Sequence, residues 1–168
     1  MKKKLLGGSI MALGLTVLVL IVIKISREKE DMRSYPEIYS DIALEDIFGN
    51  DVILDMSDYE SLILVFYSSG CLFCEHQAKD IMRNREEFKN TRVAFITSSP
   101  LDSAVNFSVR NGIHDDLRFS SLLDPDYEII LAYGVKTTPT TLIYNKNREL
   151  VGSFAGETIA KQLLKHIE

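Results

Sequence analysis

The stretch LILVFYSSGCLFC, residues 62–74, sets both cysteines of this 168-residue chain directly behind a strongly apolar run. Leu62 to Tyr67 is too short for a helix and rich in strand-forming residues, so it predicts a buried central strand. The tripeptide SSG ends that strand, and apolar residues at helical spacing predict a helix from Cys71 to about Lys89. Cys71 and Cys74 are therefore expected where a buried strand passes into a helix.

Three uses of this cysteine pair can be compared. A structural disulfide between positions three apart closes a very small loop and adds little to the stability of the fold. A zinc site needs about four ligands, which His76 and His114 or an acid would have to complete. His76 lies on the helix and points away from the pair, and the chain has no second C-x-x-C. A redox couple fits best: the helix N-terminus favours a thiolate at Cys71, and Cys74 can attack a mixed disulfide. We predict no metal site and no cofactor.

The rest of the pattern predicts an α/β domain of order β-α-β-α-(α)-β-β-α behind an N-terminal hairpin. The predicted elements are a hairpin about Asn50-Asp51, strands at 62–67, 93–97, 140–144 and 149–154, and helices at 71–89, 102–110, 124–134 and 158–167. In the third of these helical stretches, DPDYEIILAYG, Asp124 is the expected N-cap, Pro125 the first helical residue and Gly134 the residue after the end. The alternation of the first strands with helices indicates a parallel pair, and the last two strands form an antiparallel hairpin.

The N-terminus carries a separate signal. Lys2, Lys3 and Lys4 precede Leu5 to Ile23, which is uncharged throughout and long enough for a transmembrane helix. The run lacks a small-residue cleavage site, which favours an uncleaved anchor over a cleaved signal peptide. Flanking charge puts the N-terminus in the cytoplasm and the rest outside it, on the periplasmic side or outer face, where disulfides persist. The expected organisation is a cytoplasmic N-terminus at 1–4, an anchor at 5–23, a linker at 24–35 and a folded domain at 36–168.

The charge of the chain argues against nucleic-acid binding. The formal net charge is −5 at pH 7, with acidic and basic residues mixed along the sequence. A nucleic-acid-binding protein of this size would show a basic stripe or patch, and the sequence has none. We therefore expect no nucleic-acid partner.

A second motif lies far from the cysteines, in VKTTPTTLIY at residues 135–144. Pro139 stands at the start of a predicted strand, which a proline tolerates because its missing N–H is not needed there. The residues alone allow either a trans proline in a loop or a cis bond, which would be a deliberate feature.

In combination, these motifs resemble the thioredoxin superfamily and, within it, the membrane-anchored extracytoplasmic TlpA/ResA-like thiol–disulfide oxidoreductases. The resemblance covers residues 36–168 and rests on four stretches: LILVFY at 62–67, CLFC at 71–74, GVKTTPTT at 134–141 and NKNRELVGSFAGE at 145–157. It implies a thioredoxin-like fold, with a central mixed sheet flanked by helices, an N-terminal hairpin and an internal strand–helix insertion within 97–133.

The resemblance also implies roles for four residues. Cys71 would be the attacking thiolate and Cys74 the resolving thiol, and together they would form a redox-active disulfide. Pro139 would be a cis proline facing the pair, and Thr138 would offer backbone groups to an extended substrate segment. The implied partners are disulfide-containing exported proteins and a membrane-embedded dithiol electron donor.

The chain departs from the family pattern around the cysteines. Gly70 stands where the family usually has tryptophan, and Val65 where thioredoxin has a buried aspartate. Glu75 is expected to point to solvent, so proton transfer at Cys74 has no assigned partner. The dipeptide Leu72-Phe73 puts an apolar surface beside the reactive sulfur, for an apolar partner or for partial burial in the core.

Direction and rival functions follow from the same residues. Leu72-Phe73 supplies neither a cation nor an imidazole, which predicts a fairly reducing couple and a reductase of exported proteins, with apocytochrome cysteines before haem attachment as one substrate. A peroxiredoxin-like peroxidase is an alternative, since Ser68 could replace the threonine of that class, but no proline lies upstream in the loop. A non-enzymatic thioredoxin-fold binding module is the other alternative.

Overall fold

The computed structural model describes residues 13–26, 43–54, 56–114 and 116–167. The chain divides into two units, Met1–Ser34 and Tyr35–Glu168, which are described separately. In the first unit, residues 13–26 form a helix, α1, whose side chains are exposed. Among the described residues, no helix combines the length and apolar character needed to cross a bilayer. Residues 5–12 of the predicted anchor lie outside the described residues, and the predicted domain boundaries stay predictions.

The second unit alternates strands and helices along the chain. Its strands are β1 Ala43–Asp46, β2 Asp51–Ile53, β3 Ser61–Phe66, β4 Thr91–Thr97, β5 Phe119–Leu123, β6 Thr140–Asn145 and β7 Leu150–Ala155. Its helices are α2 Leu72–Arg83, α3 Leu101–Asn111, α4 Glu128–Ala132 and α5 Ala160–Leu164, with a 3-10 turn at Arg85–Glu87. This order confirms the predicted α/β class.

The seven strands found in the described residues form one mixed sheet in the order β2-β1-β5-β4-β3-β6-β7. Strands β3, β4 and β5 are mutually parallel, as expected for strands joined by helical crossovers. Strands β1 and β2 form the predicted N-terminal hairpin, and β6 and β7 form the predicted closing hairpin. Strand β6 also pairs antiparallel with β3, which makes β3 central, and every residue of β3 is buried.

Strand β5 corrects the order of elements predicted from residue patterns. That order passed directly from the helix after β4 to the helix predicted at 124–134, with no strand between them. In Phe119–Leu123, the sequence FSSLL has two adjacent serines, so its apolar pattern is too weak to indicate a strand. Strand β5 and helix α4 both lie within residues 97–133, the stretch in which the resemblance implied a strand–helix insertion.

Helix α2 ends at Arg83 and is therefore shorter than the predicted 71–89. Asn84 ends it: its backbone N–H binds the carbonyl of Asp80, and its side-chain amide donates to the same oxygen at 2.7 Å. The chain then tightens into the 3-10 turn, and Phe88 is still fully buried beyond it. The apolar spacing had therefore indicated the buried face correctly and the helix end wrongly.

Two further helix ends show what limits a helix here. Gly134 follows α4 with φ +61°, a left-handed conformation that favours glycine, as predicted. The last helix covers only Ala160–Leu164 of the predicted 158–167. The backbone N–H groups of Thr158 and Ala160 bind side chains of α2, those of Gln77 and Asp80. The entry to α5 is therefore set by tertiary contacts.

The sheet has an apolar core on each face, because alternate residues of β3 point to opposite sides. One core lies under α2, α3 and α5, and its members include Ile63, Val65, Cys74, Ile81, Phe95 and Phe107. The other lies under α4 and the N-terminal hairpin, and its members include Leu62, Leu64, Phe66, Ile129, Tyr133 and Leu142. The cysteine motif therefore sits on a sheet that is buried on both sides.

Helix α4 begins later than predicted. It starts at Glu128, so Asp124 is not the N-cap residue and Pro125 precedes the helix. The carboxylate of Asp124 still accepts the first free N–H groups, from Ile129 at 3.2 Å and Ile130 at 2.9 Å. Its capping role was predicted correctly, but an intervening turn separates it from the helix.

Replacing Asp124 with alanine is expected to lower the free energy of unfolding by about 1–2 kcal/mol, because two N–H groups at the start of α4 lose their acceptor. The exposed Asp126, two positions away, is the matched control, and Asp126→Ala should change stability by less than about 0.5 kcal/mol. Urea unfolding followed by circular dichroism measures both. Equal effects of the two substitutions would contradict the capping role.

Candidate active site

Cys71 is the N-cap residue of α2 and ends the turn that follows β3. Its backbone is extended, with φ −89° and ψ 117°, and its N–H binds the carbonyl of Ser68 at 3.0 Å. The sulfur of Cys71 accepts the backbone N–H of Cys74 at 3.3 Å. This is how a polar side chain caps a helix, and it puts the sulfur at the positive end of the helix dipole, where negative charge is stabilised.

The two sulfurs differ in exposure. Cys71 is half-buried and Cys74 is 2% exposed, and both are free thiols within hydrogen-bonding reach of each other. Burial, followed by the hydrogen bond with Cys71, raises the pKa of Cys74 to about 12, while a hydrogen bond with the Thr138 side chain acts in the opposite direction. Cys74 is therefore protonated at neutral pH, and only Cys71 is accessible to a partner.

The loop before β6 meets the cysteines from the other side. The Thr138–Pro139 peptide bond is cis, as the resemblance implied, and Pro139 is buried. The carbonyl oxygen of Thr138 lies 3.8 Å from the sulfur of Cys71, whose thiol can donate to it. Thr138 thus interacts with both cysteines, and Pro139 follows it directly in the chain.

The residues between the cysteines face solvent. Leu72 is 62% exposed and Phe73 is 59% exposed, so neither side chain turns into the core. Of the two expectations for this dipeptide, an apolar surface beside Cys71 is the one observed. Exposure of two large apolar side chains next to a reactive group is typical of a contact surface.

The position at which thioredoxin has a buried aspartate is apolar in this chain. Val65 is 2% exposed and pairs directly with Thr141 of β6, so both point to the face covered by α2. Thr141 accepts a hydrogen bond at 2.7 Å from the side-chain amide of Gln77, which is also buried. The sequence reasoning missed Gln77, although a polar residue three positions after Cys74 on the buried helix face is a usable signal.

The acids of α2 are engaged away from Cys74. Glu75 binds Lys79 at 2.7 Å and lies 3.8 Å from Arg110 at the surface, and the hydrogen bond from Lys79 holds its pKa below the ordinary value. Asp80 accepts the backbone N–H of Ala160 at 2.6 Å. Glu75 therefore lies at the surface, as expected, in ion pairs that the sequence did not indicate.

The histidines considered as metal ligands do not approach the cysteines. His76 is exposed and its Nδ1 lies 3.7 Å from a carboxylate oxygen of Glu157, and His114 is exposed as well. In the part of the chain that the structure describes, no three His, Cys, Asp or Glu side chains are grouped to hold a metal ion.

Tyr67 is a core residue, as predicted. Its ring stacks on Phe107 with centroids 4.3 Å apart, and its hydroxyl lies 3.0 Å from the hydroxyl of Ser121. Burial raises the pKa of Tyr67, and the nearby Cys74 adds to the effect. The phenol is therefore protonated near neutral pH and cannot accept a proton from Cys74.

Comparison with known proteins agrees with this geometry. A curated relative from Halalkalibacterium halodurans, named thiol-disulfide oxidoreductase ResA, is 28% identical over 116 residues, which are 67% of this chain and 64% of that protein. The chain thus aligns with less than two thirds of that relative's length. Another protein named ResA, from Bacillus thuringiensis, is 24% identical over 142 residues, or 83% of this chain and 80% of the relative.

The fold recurs in solved structures. StoA from Bacillus subtilis superposes with a TM-score of 0.63 and 21% identity, covering 79% of this chain and all of that one. At this level of identity the likeness shows the fold, which is thioredoxin-like.

The sequence also matches the model of the AhpC/TSA family over residues 37–153. Since that match spans well over half of the chain and includes both cysteines and Pro139, the protein belongs to the AhpC/TSA family.

Proposed function

We propose that this protein is a thiol–disulfide oxidoreductase that reduces disulfide bonds in other proteins through Cys71 and Cys74. The observation that carries the proposal is the position of the Cys71 sulfur, which caps α2 and lies 3.8 Å from the carbonyl oxygen of Thr138. The names of the ResA relatives support the same reaction class.

The reaction proceeds by two exchanges of sulfur–sulfur bonds. The thiolate of Cys71 attacks a substrate disulfide, forms a mixed disulfide and releases one substrate sulfur, which takes up a proton. Cys74 then loses its proton and attacks the Cys71 sulfur, which releases the second substrate thiol. Two electrons pass to the substrate, and the protein is left with a Cys71–Cys74 disulfide.

The surface around Cys71 suits a polypeptide substrate. Thr138 precedes β6 and offers backbone groups beside the sulfur, where an extended segment can pair with it as an added strand. Leu72 and Phe73, which follow Cys71 directly, add exposed apolar area. We infer a substrate segment with apolar side chains next to its cysteine.

The direction of electron flow is toward the substrate. A strong oxidant needs a highly stabilised thiolate in its reduced form. Between the two cysteines this chain has only Leu72 and Phe73, and the nearby His76 is directed to Glu157. The helix terminus therefore acts on Cys71 without help from these neighbours, which favours a reducing couple.

The proposed location is outside the cytoplasm, with the domain tethered by an uncleaved N-terminal helix. The support is the uncharged run Leu5–Ile23 behind three lysines. There the substrates would be exported proteins with disulfides, and apocytochrome cysteines awaiting haem are one such class. Each turnover leaves the protein oxidised, so a membrane-embedded dithiol carrier is the proposed electron donor.

The variant Cys74→Ser is expected to accumulate mixed disulfides with substrate proteins, because Cys71 still attacks but the product cannot be released. Non-reducing electrophoresis and mass spectrometry of cells producing the full chain detect them. Cys71→Ser is the matched control and should trap nothing. Hydrogen peroxide consumption faster than insulin reduction would point instead to a peroxidase, and an absence of any trapped protein would favour a binding module.

The midpoint potential of the Cys71–Cys74 couple is expected to lie below about −200 mV, nearer to thioredoxin at about −270 mV than to a strong periplasmic oxidant at about −120 mV. Equilibration with glutathione buffers, followed by thiol alkylation, measures it. Cys74→Ser provides the baseline without an intramolecular couple. A potential near −120 mV would reverse the proposed direction.

Membrane attachment is expected to depend on the N-terminal run. Full-length protein should stay with bacterial membranes after alkaline carbonate washing, whereas a chain lacking residues 1–24 should not, because it has lost the apolar segment. A C-terminal reporter that is active only outside the cytoplasm gives the orientation. Release of the full-length chain by carbonate, or an inactive reporter, would contradict the proposed location.

A further inference from the structure

Gln77 is a buried glutamine of α2 whose side chain joins three parts of the chain. Its Nε2 donates to the hydroxyl oxygen of Thr141 at 2.7 Å, and its Oε1 accepts the backbone N–H of Thr158 at 2.9 Å. All three residues are buried. Helix α2, strand β6 and the segment that leads into α5 therefore meet at one amide group.

The two partners determine the orientation of this amide. The backbone N–H of Thr158 can only donate, so the oxygen of Gln77 must face it. The amide nitrogen is then directed at the Thr141 hydroxyl, whose oxygen accepts. A hydrocarbon side chain of similar size would leave a buried N–H and a buried hydroxyl without these bonds, which is unfavourable. The site therefore requires a side chain with both a donor and an acceptor, or two acceptors.

The hydrogen bonds of Gln77 connect the two parts of the chain that flank the Cys71 sulfur. Gln77 lies on the helix that Cys71 caps, and Thr141 lies two residues beyond Pro139 on β6. Thr138, on the same segment, has its carbonyl oxygen 3.8 Å from the Cys71 sulfur. A shift of β6 relative to α2 therefore changes the position of the substrate-pairing backbone relative to the sulfur.

We propose that Gln77 is a positioning residue for disulfide reduction, holding the segment with Thr138 and Pro139 in register with Cys71. The inference rests on the proposed function. Because an amide does not titrate near neutral pH, Gln77 does this without exchanging a proton with Cys74. The resolving thiol thus has a neutral polar group, and no carboxylate, one helical turn below it.

Full-length protein in mild detergent tests this role with three variants. Gln77→Leu removes both hydrogen bonds, and Gln77→Glu keeps two oxygens in the same place. Gln162→Leu is the matched control, because Gln162 is exposed on α5. The rates measured are reduction of insulin, which needs backbone pairing, and of dithiobis(nitrobenzoate), a small disulfide that does not. Amide hydrogen exchange of residues 137–145 reports on β6 independently of activity.

Gln77→Leu is expected to lower the ratio of insulin to small-disulfide reduction by at least about tenfold, since misplacement of a reacting partner is costly. Exchange of residues 137–145 should become faster. Gln162→Leu should change the ratio by less than about twofold. Gln77→Glu should restore it to within about threefold, because the Thr141 hydroxyl can rotate and donate to a carboxylate.

The pH dependence of the release step separates positioning from proton transfer. Since burial raises the pKa of the Cys74 thiol, the rate at which Cys74 resolves a mixed disulfide should rise steadily with pH in the wild type. The logarithm of the rate should be linear between about pH 6 and 9, as expected for one titrating thiol. Gln77→Glu places a titratable carboxyl group one helical turn from Cys74 and should introduce a bend in the plot of the logarithm of the rate against pH. A bend in the wild-type plot would contradict the inference that Gln77 acts without exchanging a proton.

Other results would also overturn the inference. Gln77→Leu could slow both reductions equally while lowering the melting temperature, which is the mark of a purely structural residue. It could also leave both the ratio and the exchange unchanged. If wild-type protein reduces neither disulfide, the proposed function fails, and the exchange difference between Gln77→Leu and Gln162→Leu still decides whether Gln77 holds β6 to α2.

Discussion

The hydrogen bond from the Cys74 N–H to the Cys71 sulfur, at 3.3 Å, ties the chemistry of this protein to the start of a helix. It needs a chain that leaves β3 with its backbone still extended at residue 71 and turns into α2 at once. Strand β3 can support that turn because it is central in the sheet and buried on both faces. The position of the Cys71 sulfur therefore follows from its role as the N-cap of a helix that begins just after a buried strand.

The second side of the site comes from a distant part of the sequence. Strand β6 pairs antiparallel with β3 along its whole length, from Ser61 opposite Asn145 to Phe66 opposite Thr140. This register brings the residues just before β6 to the end of β3, where the cysteine turn begins. Thr138 contacts the sulfurs for that reason. The sheet, more than any loop, sets the distance between the two halves of the site.

Local patterns were enough to predict β3, the start of α2 and both hairpins, whereas the cis bond at Pro139 was implied by the family resemblance. They failed where the pattern was weak or where distant contacts decided the outcome. The serines of β5 hide a strand that pairing with β4 stabilises, and the end of α2 depends on the cap at Asn84. The partners of Gln77 could not be assigned from sequence, because they lie 64 and 81 positions away.

Helix α5 is held at its start by side chains of α2, since Gln77 binds the N–H of Thr158 and Asp80 binds that of Ala160. During synthesis these acceptors emerge long before their donors, which lie 81 and 80 positions further along the chain. Until then the side-chain amide of Gln77 can bind Thr141 of β6 but lacks its second partner, the N–H of Thr158. Proteolytic removal of the segment with Thr158 and Ala160 would have the same effect, so damage at a distant part of the chain would alter the position of β6 beside the sulfurs.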